Sequence, residues 1–284
     1  MRVLVLGASG MIGSTTLRVF CERKDWDVYG TVRSESAKQF FSPQLADRLI
    51  TNVDVANYDT LVSAVARTHP DVVINCIGAT KHKEGGNEPL AAIPLNALLP
   101  HRLASLCAAA NARLVHVSTD CVFSGKQGNY TEDDFPDAAD VYGRSKALGE
   151  VDYTNSITLR TSTIGHELQS SYGLLDWFFS QQDSCKGFKR AIFSGLPTVE
   201  FARVIRDVVI PRPDLHGLYH VAGPSIAKYD LLKLIAEVYG KSIEIIPEDD
   251  FVIDRSLNAA RFLAETGYQP PGWAELIKLM HSYK

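Results

Sequence analysis

The sequence predicts a doubly wound α/β fold, a parallel sheet with helices on both faces, carrying a smaller C-terminal lobe. Three observations predict it. Short, solidly apolar runs alternate with helical stretches through the first two thirds of the 284 residues. The first of these runs leads directly into a glycine-rich turn, and the alternation loosens after about residue 160. Strands of a parallel sheet covered on both sides read as continuous apolar runs, because neither face meets water.

Val3-Leu4-Val5-Leu6 makes the first strand, and Gly7-Ala8-Ser9-Gly10-Met11-Ile12-Gly13 follows it. Glycines at 7, 10 and 13 permit a tight turn, close approach of a pyrophosphate and close helix–sheet packing. The helix that starts near Gly10 turns its unpaired N–H groups and positive dipole end toward such an anion. This is the dinucleotide-binding turn of a Rossmann-type sheet. Further strands are predicted at 28–32, 71–77, 113–118 and 156–159, with helices at 98–110 and 142–150. Strand–helix alternation of this kind implies right-handed crossovers. Lys228–Tyr239 reads as an amphipathic helix closed by Gly240, and 273–281 as a final helix after Gln269-Pro-Pro-Gly272. Residues 1–160 are therefore expected to form the nucleotide-binding domain, with some later segments returning to it. Residues 161–284 are expected to form mainly a substrate lobe, with a cleft between the two.

Composition narrows the function. A formal charge of −4 without visible segregation favours neither nucleic acid nor a membrane surface as partner. No apolar run is read as long enough to span a bilayer, and Met1 is followed almost at once by a core strand, leaving no room for a signal peptide. Five cysteines, at 21, 76, 107, 121 and 185, are odd in number and contain no C-x-x-C pair. A reduced, cytoplasmic protein without structural zinc is expected. The eight histidines show no metal-ligand spacing, so no metal is expected.

Cofactor choice turns on the end of the second strand, Tyr29-Gly-Thr-Val-Arg33-Ser34. A carboxylate there would bind a ribose 2′-hydroxyl, whereas an arginine accommodates a 2′-phosphate. Arg33 and Ser34 favour NADP over NAD, although Glu35 is close. Asp54 and Val55, after the third strand region, are candidates for contact with adenine or for a plain turn.

Catalysis is read from Tyr142-Gly-Arg-Ser-Lys146. Four apart on a helix, the phenol and the amine share one face. A free tyrosine has a pKa near 10, and a neighbouring ammonium is expected to lower it toward useful proton exchange. Thr119, at the end of a predicted strand, would hydrogen-bond a substrate oxygen beside the phenol. Tyr229-Asp-Leu-Leu-Lys233 has the same spacing but no strand-end hydroxyl upstream, so it is read as packing or surface.

With these residues in hand, the chain resembles the extended short-chain dehydrogenase/reductases, and within them the nucleotide-sugar reductases of the dTDP-4-dehydrorhamnose reductase type. The likeness runs through Asp71-Val-Val-Ile-Asn-Cys, Val117-Ser-Thr-Asp-Cys-Val-Phe-Ser-Gly125, Val141-Tyr-Gly-Arg-Ser-Lys146, Leu159-Arg-Thr-Ser, Gly195-Leu-Pro-Thr and Gly217-Leu-Tyr-His. It implies reduction of a 4-keto-6-deoxy nucleotide-sugar for surface polysaccharide synthesis. Thr119, Tyr142 and Lys146 would be the triad, with Lys146 also holding the nicotinamide ribose. Gly7, Ser9, Gly10, Met11, Ile12, Gly13, Arg33, Ser34, Asp54, Val55, Gly78 and Ala79 would line the cofactor site. Asn96, Cys121 and Arg255 would face the substrate, Arg255 toward its phosphates.

Two departures leave the sugar open. Cys121 stands where the family usually has tyrosine, and 76–83 is more basic than the rhamnose enzymes' pattern. A UDP-linked 2-acetamido-6-deoxy-4-keto sugar is as well accommodated as the dTDP substrate. Cys121 also removes the second acid of the 4,6-dehydratases, which argues for reduction over elimination. An epimerase on the same fold and a non-catalytic NADP-binding regulatory subunit are the rival readings. Oligomeric state is not legible, and a homodimer is left open.

Overall fold

A computed structural model describes residues 1–80, 86–168 and 172–284. Seven parallel strands form the central sheet: β1 (Arg2–Leu6), β2 (Asp27–Thr31), β3 (Leu49–Ile50), β4 (Val72–Asn75), β5 (Arg113–Thr119), β6 (Ser156–Thr161) and β7 (Gly217–His220). Their order is β7-β6-β5-β4-β1-β2-β3. Strand order reverses between β1 and β4, so a crevice opens at their carboxyl ends. Ligands of open α/β sheets bind at this switch point.

Apolar side chains of β1 divide between the two faces, as a strand period of two requires. Val3 and Val5 join Phe20, Ile74 and Val115 on one side, while Leu4 and Leu6 join Leu61, Leu103 and Leu114 on the other. Helix α1 (Met11–Cys21) follows the glycine turn, and α2 (Leu99–Ala109) lies before β5. Helix α3 (Val141–Leu148) runs between β5 and β6, and α4 (Lys228–Tyr239) belongs to the C-terminal part. Gly240 at φ 67° closes α4 in the left-handed region, where a residue without Cβ meets no steric penalty.

The second half of the chain returns to the sheet twice. β7 pairs with β6, and the helix Thr198–Val204 packs on α1, where the Thr15 and Thr198 hydroxyls meet at 3.1 Å. Short sheets make up the remainder: Ser184–Phe188 with Glu244–Glu248, and Ala191–Phe193 between Ile226–Ala227 and Ile253–Asp254. Trp273 anchors the last helix, Trp273–Ser282, by donating from Nε1 to the Pro224 carbonyl at 2.7 Å.

One expectation is corrected. The stretch Pro89–Ala109 is a continuous helix of 21 residues with mean hydropathy 1.2, long and apolar enough to cross a membrane by length and composition alone. A π-helical turn, Ile93–Leu98, carries the helix back to Pro89, ahead of the predicted start at 98. Its apolar character has a local cause: Ala92, Ala97, Leu99, Leu103, Ala104 and Cys107 are buried in the fold.

Candidate active site

The glycine turn has the shape a pyrophosphate needs. Gly7 adopts φ 77°, and a Cβ on Gly13 would strike the Gly7 carbonyl, so turn and helix touch backbone to backbone. Gly10, in extended backbone, caps α1 without any side chain, and the first turn holds no acid. The helix end is thus left to an anion from outside. Ser9, Gly10, Met11 and Ile12 are half-buried around it. This cradle fits a dinucleotide on geometric grounds.

Beyond β2, Arg33 and Ser34 are exposed. Glu35, the acid that complicated the cofactor choice, ion-pairs with Lys38 at 2.6 Å and is held below the usual carboxylate range by Lys38 and Thr51. Asp54 is drawn into the turn that starts the next helix. Its Oδ1 accepts from the Ala56 N–H at 3.1 Å, and its carbonyl accepts from Thr60 at 2.8 Å. Val55 packs half-buried on the cluster of Leu4, Leu6 and Leu61.

Thr119 ends β5 and caps the short 3₁₀ turn Asp120–Val122, its Oγ1 accepting from the Cys121 N–H at 3.1 Å and donating to Asp120 Oδ1 at 3.1 Å. Asp140 starts α3 as N-cap, its carboxylate accepting from the Gly143 N–H at 2.8 Å. A Cβ on Gly143 would collide with the Cys121 carbonyl and with Ala138. Glycine at this position therefore lets the first turn of α3 reach the strand-end turn. There the Tyr142 phenol comes beside the Thr119 hydroxyl, which opposes the rise of its pKa. Lys146, one helical turn on, is buried, and its amine donates to the Val117 carbonyl at 2.7 Å.

The electrostatics differ from the expectation. The Tyr142 phenol is pushed up, not down: burial dominates, Cys121, Asp120 and Asp140 add to it, and only the Thr119 hydroxyl opposes. The Lys146 amine is turned to the backbone of β5. Burial lowers Lys146 itself to about 8, against the charge of Glu150 and the Cys76 thiol. The phenol consequently stays protonated at neutral pH.

Asn96 requires a second correction. It is fully buried in the π-helical turn, with its Oδ1 accepting from the Ala79 N–H at 2.8 Å. Its Nδ2 donates to the Ala79 carbonyl at 3.2 Å and to Ser145 Oγ at 3.1 Å. Ser145 in turn donates to the Tyr142 carbonyl at 2.9 Å. With both amide hydrogens and one carbonyl lone pair spent on protein, Asn96 braces the loop bearing Gly78 and Ala79 against the Tyr142 helix. π-Turns of this kind concentrate at functional sites.

Cys121 is half-buried, and burial with Asp120 pushes its thiol up to about 12, so it is neutral. Arg255 is fixed by donation from Nε to the Phe123 carbonyl at 2.8 Å, which leaves Nη1 3.9 Å from Cys121 Sγ. Lys81, His82 and Lys83 of the basic stretch lie outside the described residues. Tyr229 and Lys233 are the second pair at the same spacing. They line an open groove with Asp230, Glu237 and Ile245, the Lys233 amine 5.4 Å from the Tyr229 ring centre.

A family model described as the RmlD substrate binding domain matches residues 1–280. The chain belongs to this family. A dTDP-4-dehydrorhamnose reductase of Aggregatibacter actinomycetemcomitans is 24% identical over 307 residues, covering 99% of each chain. The beta subunit of methionine adenosyltransferase 2 of Xenopus laevis is 29% identical over 149 residues, covering 52% of this chain and 41% of its own. The crystal structure of dTDP-4-dehydrorhamnose reductase from Bacillus anthracis in complex with NADP superposes with a TM-score of 0.80 at 20% identity, covering 100% of this chain and 98% of that one.

In this RmlD-type chain, sequence reasoning missed three participants in the site. Ser145 links Asn96 to the Tyr142 backbone. Glu150 lies one turn beyond Lys146, a spacing that marks contact on a helix face and could have been noticed. Lys228, the first residue of α4, faces Asp120, Cys121 and Arg255, and burial lowers its amine. Nothing local distinguishes Lys228 from a surface lysine, because the lobe that carries it meets the 119–121 turn only in three dimensions.

Proposed function

We propose that this chain is an NADPH-dependent 4-keto reductase acting on a nucleotide-activated 6-deoxyhexose. One observation carries the reading: the Tyr142 phenol beside the strand-end Thr119, with buried Lys146 one helical turn on, stands at the carboxyl end of the sheet that also bears the glycine turn. NADPH, held by the turn and by Arg33 at its 2′-phosphate, supplies the hydride.

The residues supply the remainder. A phenol raised by burial arrives protonated, which is the form needed to deliver a proton to the keto oxygen as that oxygen gains charge. Thr119 hydrogen-bonds the same oxygen and orients it. Lys146, lowered only to about 8, is still mostly charged near pH 7 and holds the nicotinamide ribose. Arg255 and Lys228 supply cations on the lobe side for the diphosphate, and Cys121 offers a small neutral wall to the sugar. Both dTDP- and UDP-linked sugars fit this arrangement.

The test is NADPH consumption with a 4-keto-6-deoxy nucleotide-sugar, comparing wild type with Tyr142→Phe. Wild-type turnover no better than the variant's removes the reductase. A second reading, a regulatory NADP-binding subunit, is favoured by the likeness to methionine adenosyltransferase beta subunits over half the chain. NADPH binding without turnover of any such sugar is what that reading requires. Exposed Leu90, Ile93 and Leu98 on the 89–109 helix, with Leu148 at the end of α3, support a homodimer through this apolar face. Light scattering of wild type and Leu90→Glu checks it: a monomeric wild type ends that idea.

A further inference from the structure

Glu150 lies beyond the last turn of α3, four residues after Lys146, and the proposed reaction makes no direct use of it. Its carboxylate nevertheless carries the densest polar network in the described structure's interior around the site. Ser118 Oγ donates to Oε1 at 2.7 Å, Arg160 Nε to the same oxygen at 2.7 Å, and Arg160 Nη2 to Oε2 at 2.7 Å. The two side chains are only 10% and 3% exposed. Arg160 Nη1 continues to His220 Nε2 at 3.2 Å. Since the guanidinium can only donate, Nε2 accepts and the ring proton sits on Nδ1, which donates to the Tyr130 carbonyl at 3.1 Å. The Arg160 guanidinium also stands 5.0 Å over the Phe123 ring.

Burying an ion pair costs about as much desolvation as the attraction returns, so stability alone is a poor reason for this arrangement. Its placement gives a better one. Ser118 is the residue before Thr119 on β5, and Val117, whose carbonyl takes the Lys146 amine, is the one before that. The carboxylate thus joins the strand end that carries Thr119 to the helix that carries Tyr142 and Lys146. Around Lys146 the titratable neighbours are Glu150 just past its own helix, Cys76 just past β4 and His116 on β5. Burial pushes the Cys76 thiol up to about 12 and holds buried His116 neutral, which leaves the carboxylate paired with Arg160 at 2.7 Å as the counter-charge among these three.

We infer that Glu150 is a positioning residue for Lys146: clamped by Ser118 and Arg160, its carboxylate locks the Thr119 strand end to the Tyr142 helix and serves as counter-charge to the Lys146 ammonium. The inference rests on the reading that Lys146 works in this site. Burial alone would drive the amine toward its neutral form, and the carboxylate opposes that. A role confined to neutralising Arg160 is the competing account, with His220 and Ser118 as its other neighbours.

The decisive measurement is NMR titration of the full chain carrying ¹³C,¹⁵N-lysine, with the Lys146 signal identified by its loss in Lys146→Met. This needs no turnover, so its failure is separable from failure of the reductase assignment. The midpoint is expected to fall by about one pH unit in Glu150→Gln, since the charge goes while the shape stays. It is expected to return toward wild type in Glu150→Asp and to be unmoved in Glu248→Gln, whose ion pair with Lys186 is exposed. Because the lone Arg160 left in Glu150→Gln could prevent folding, Glu150→Gln/Arg160→Met is titrated in parallel. A lower midpoint there supports the role toward Lys146, whereas a wild-type midpoint in either folded variant overturns it. In turnover, the alkaline limb of the pH profile should move down in Glu150→Gln with KM nearly unchanged.

Discussion

The Thr119 hydroxyl meets the Tyr142 phenol across the join between the last residue of β5 and the first turn of α3. Twenty-two residues of chain lie between them, and two local features close the gap. Asp140 caps the helix in the right place, and Gly143 removes the Cβ that would hold it off the Cys121 carbonyl. Gly143→Ala should therefore spoil the site without touching a reacting group.

Removal of the phenolic proton is the sharpest chemical perturbation. Tyr142→Phe should cut turnover by about 10²–10⁴-fold, the range for loss of a positioned acid, while NADPH affinity stays within a few-fold. Steady-state kinetics with a fluorescence titration of NADPH checks both halves. Tyr229→Phe serves as the companion, and should leave turnover almost intact because that ring lines a surface groove.

Arg33 should distinguish the two nicotinamide cofactors. A charge-assisted hydrogen bond is worth about 1.5–3 kcal/mol, so Arg33→Ala should weaken NADPH by about ten- to a hundredfold and leave NADH nearly unchanged. Equal losses measured by calorimetry for both cofactors would show that the guanidinium does not read the phosphate.

Asn96→Ala deletes the brace between the Ala79 loop and the Tyr142 helix. The half-buried Ala79 N–H and carbonyl then lack their partner, and each such group costs at most about 1–3 kcal/mol. A lower urea midpoint together with weaker NADPH binding is expected. Unchanged stability with a raised KM for the sugar alone would instead restore a substrate contact.

Stability should fall on the acid side. His220 is lowered to about 3 by burial and by Arg160, and His116 is lowered well below 6.5 by burial. Both are neutral when folded, whereas the unfolded chain takes up their protons near pH 6.5. The unfolded state binds more protons below that value, so each ring's contribution is complete above pH 6.5. For His220 it is lost as pH drops toward 3, at a slope approaching about 1.4 kcal/mol per pH unit for each ring. Urea midpoints at pH 7, 5.5 and 4.5 give the slope; a flat profile refutes it.

Pattern alone was enough for the doubly wound sheet, the glycine turn, the Lys228–Tyr239 helix and the placing of Tyr142 and Lys146 one turn apart on a helix. Each depends on local rules: apolar runs for buried strands, three glycines for a close turn, and a spacing of four for one helix face. Strand-end and helix limits moved by a few residues, since hydrogen-bond ladders and not hydrophobicity end an element. What tertiary structure alone decided is electrostatic and long-range. Burial, which no short window of sequence records, raised the Tyr142 phenol and lowered Lys146. The fold also brought Arg160, His220 and Glu150 together from three separate elements and carried Lys228 and Arg255 to the 119–121 turn. Charges separated along the chain interact through the space and dielectric that folding creates, and that is where this site acquires its chemistry.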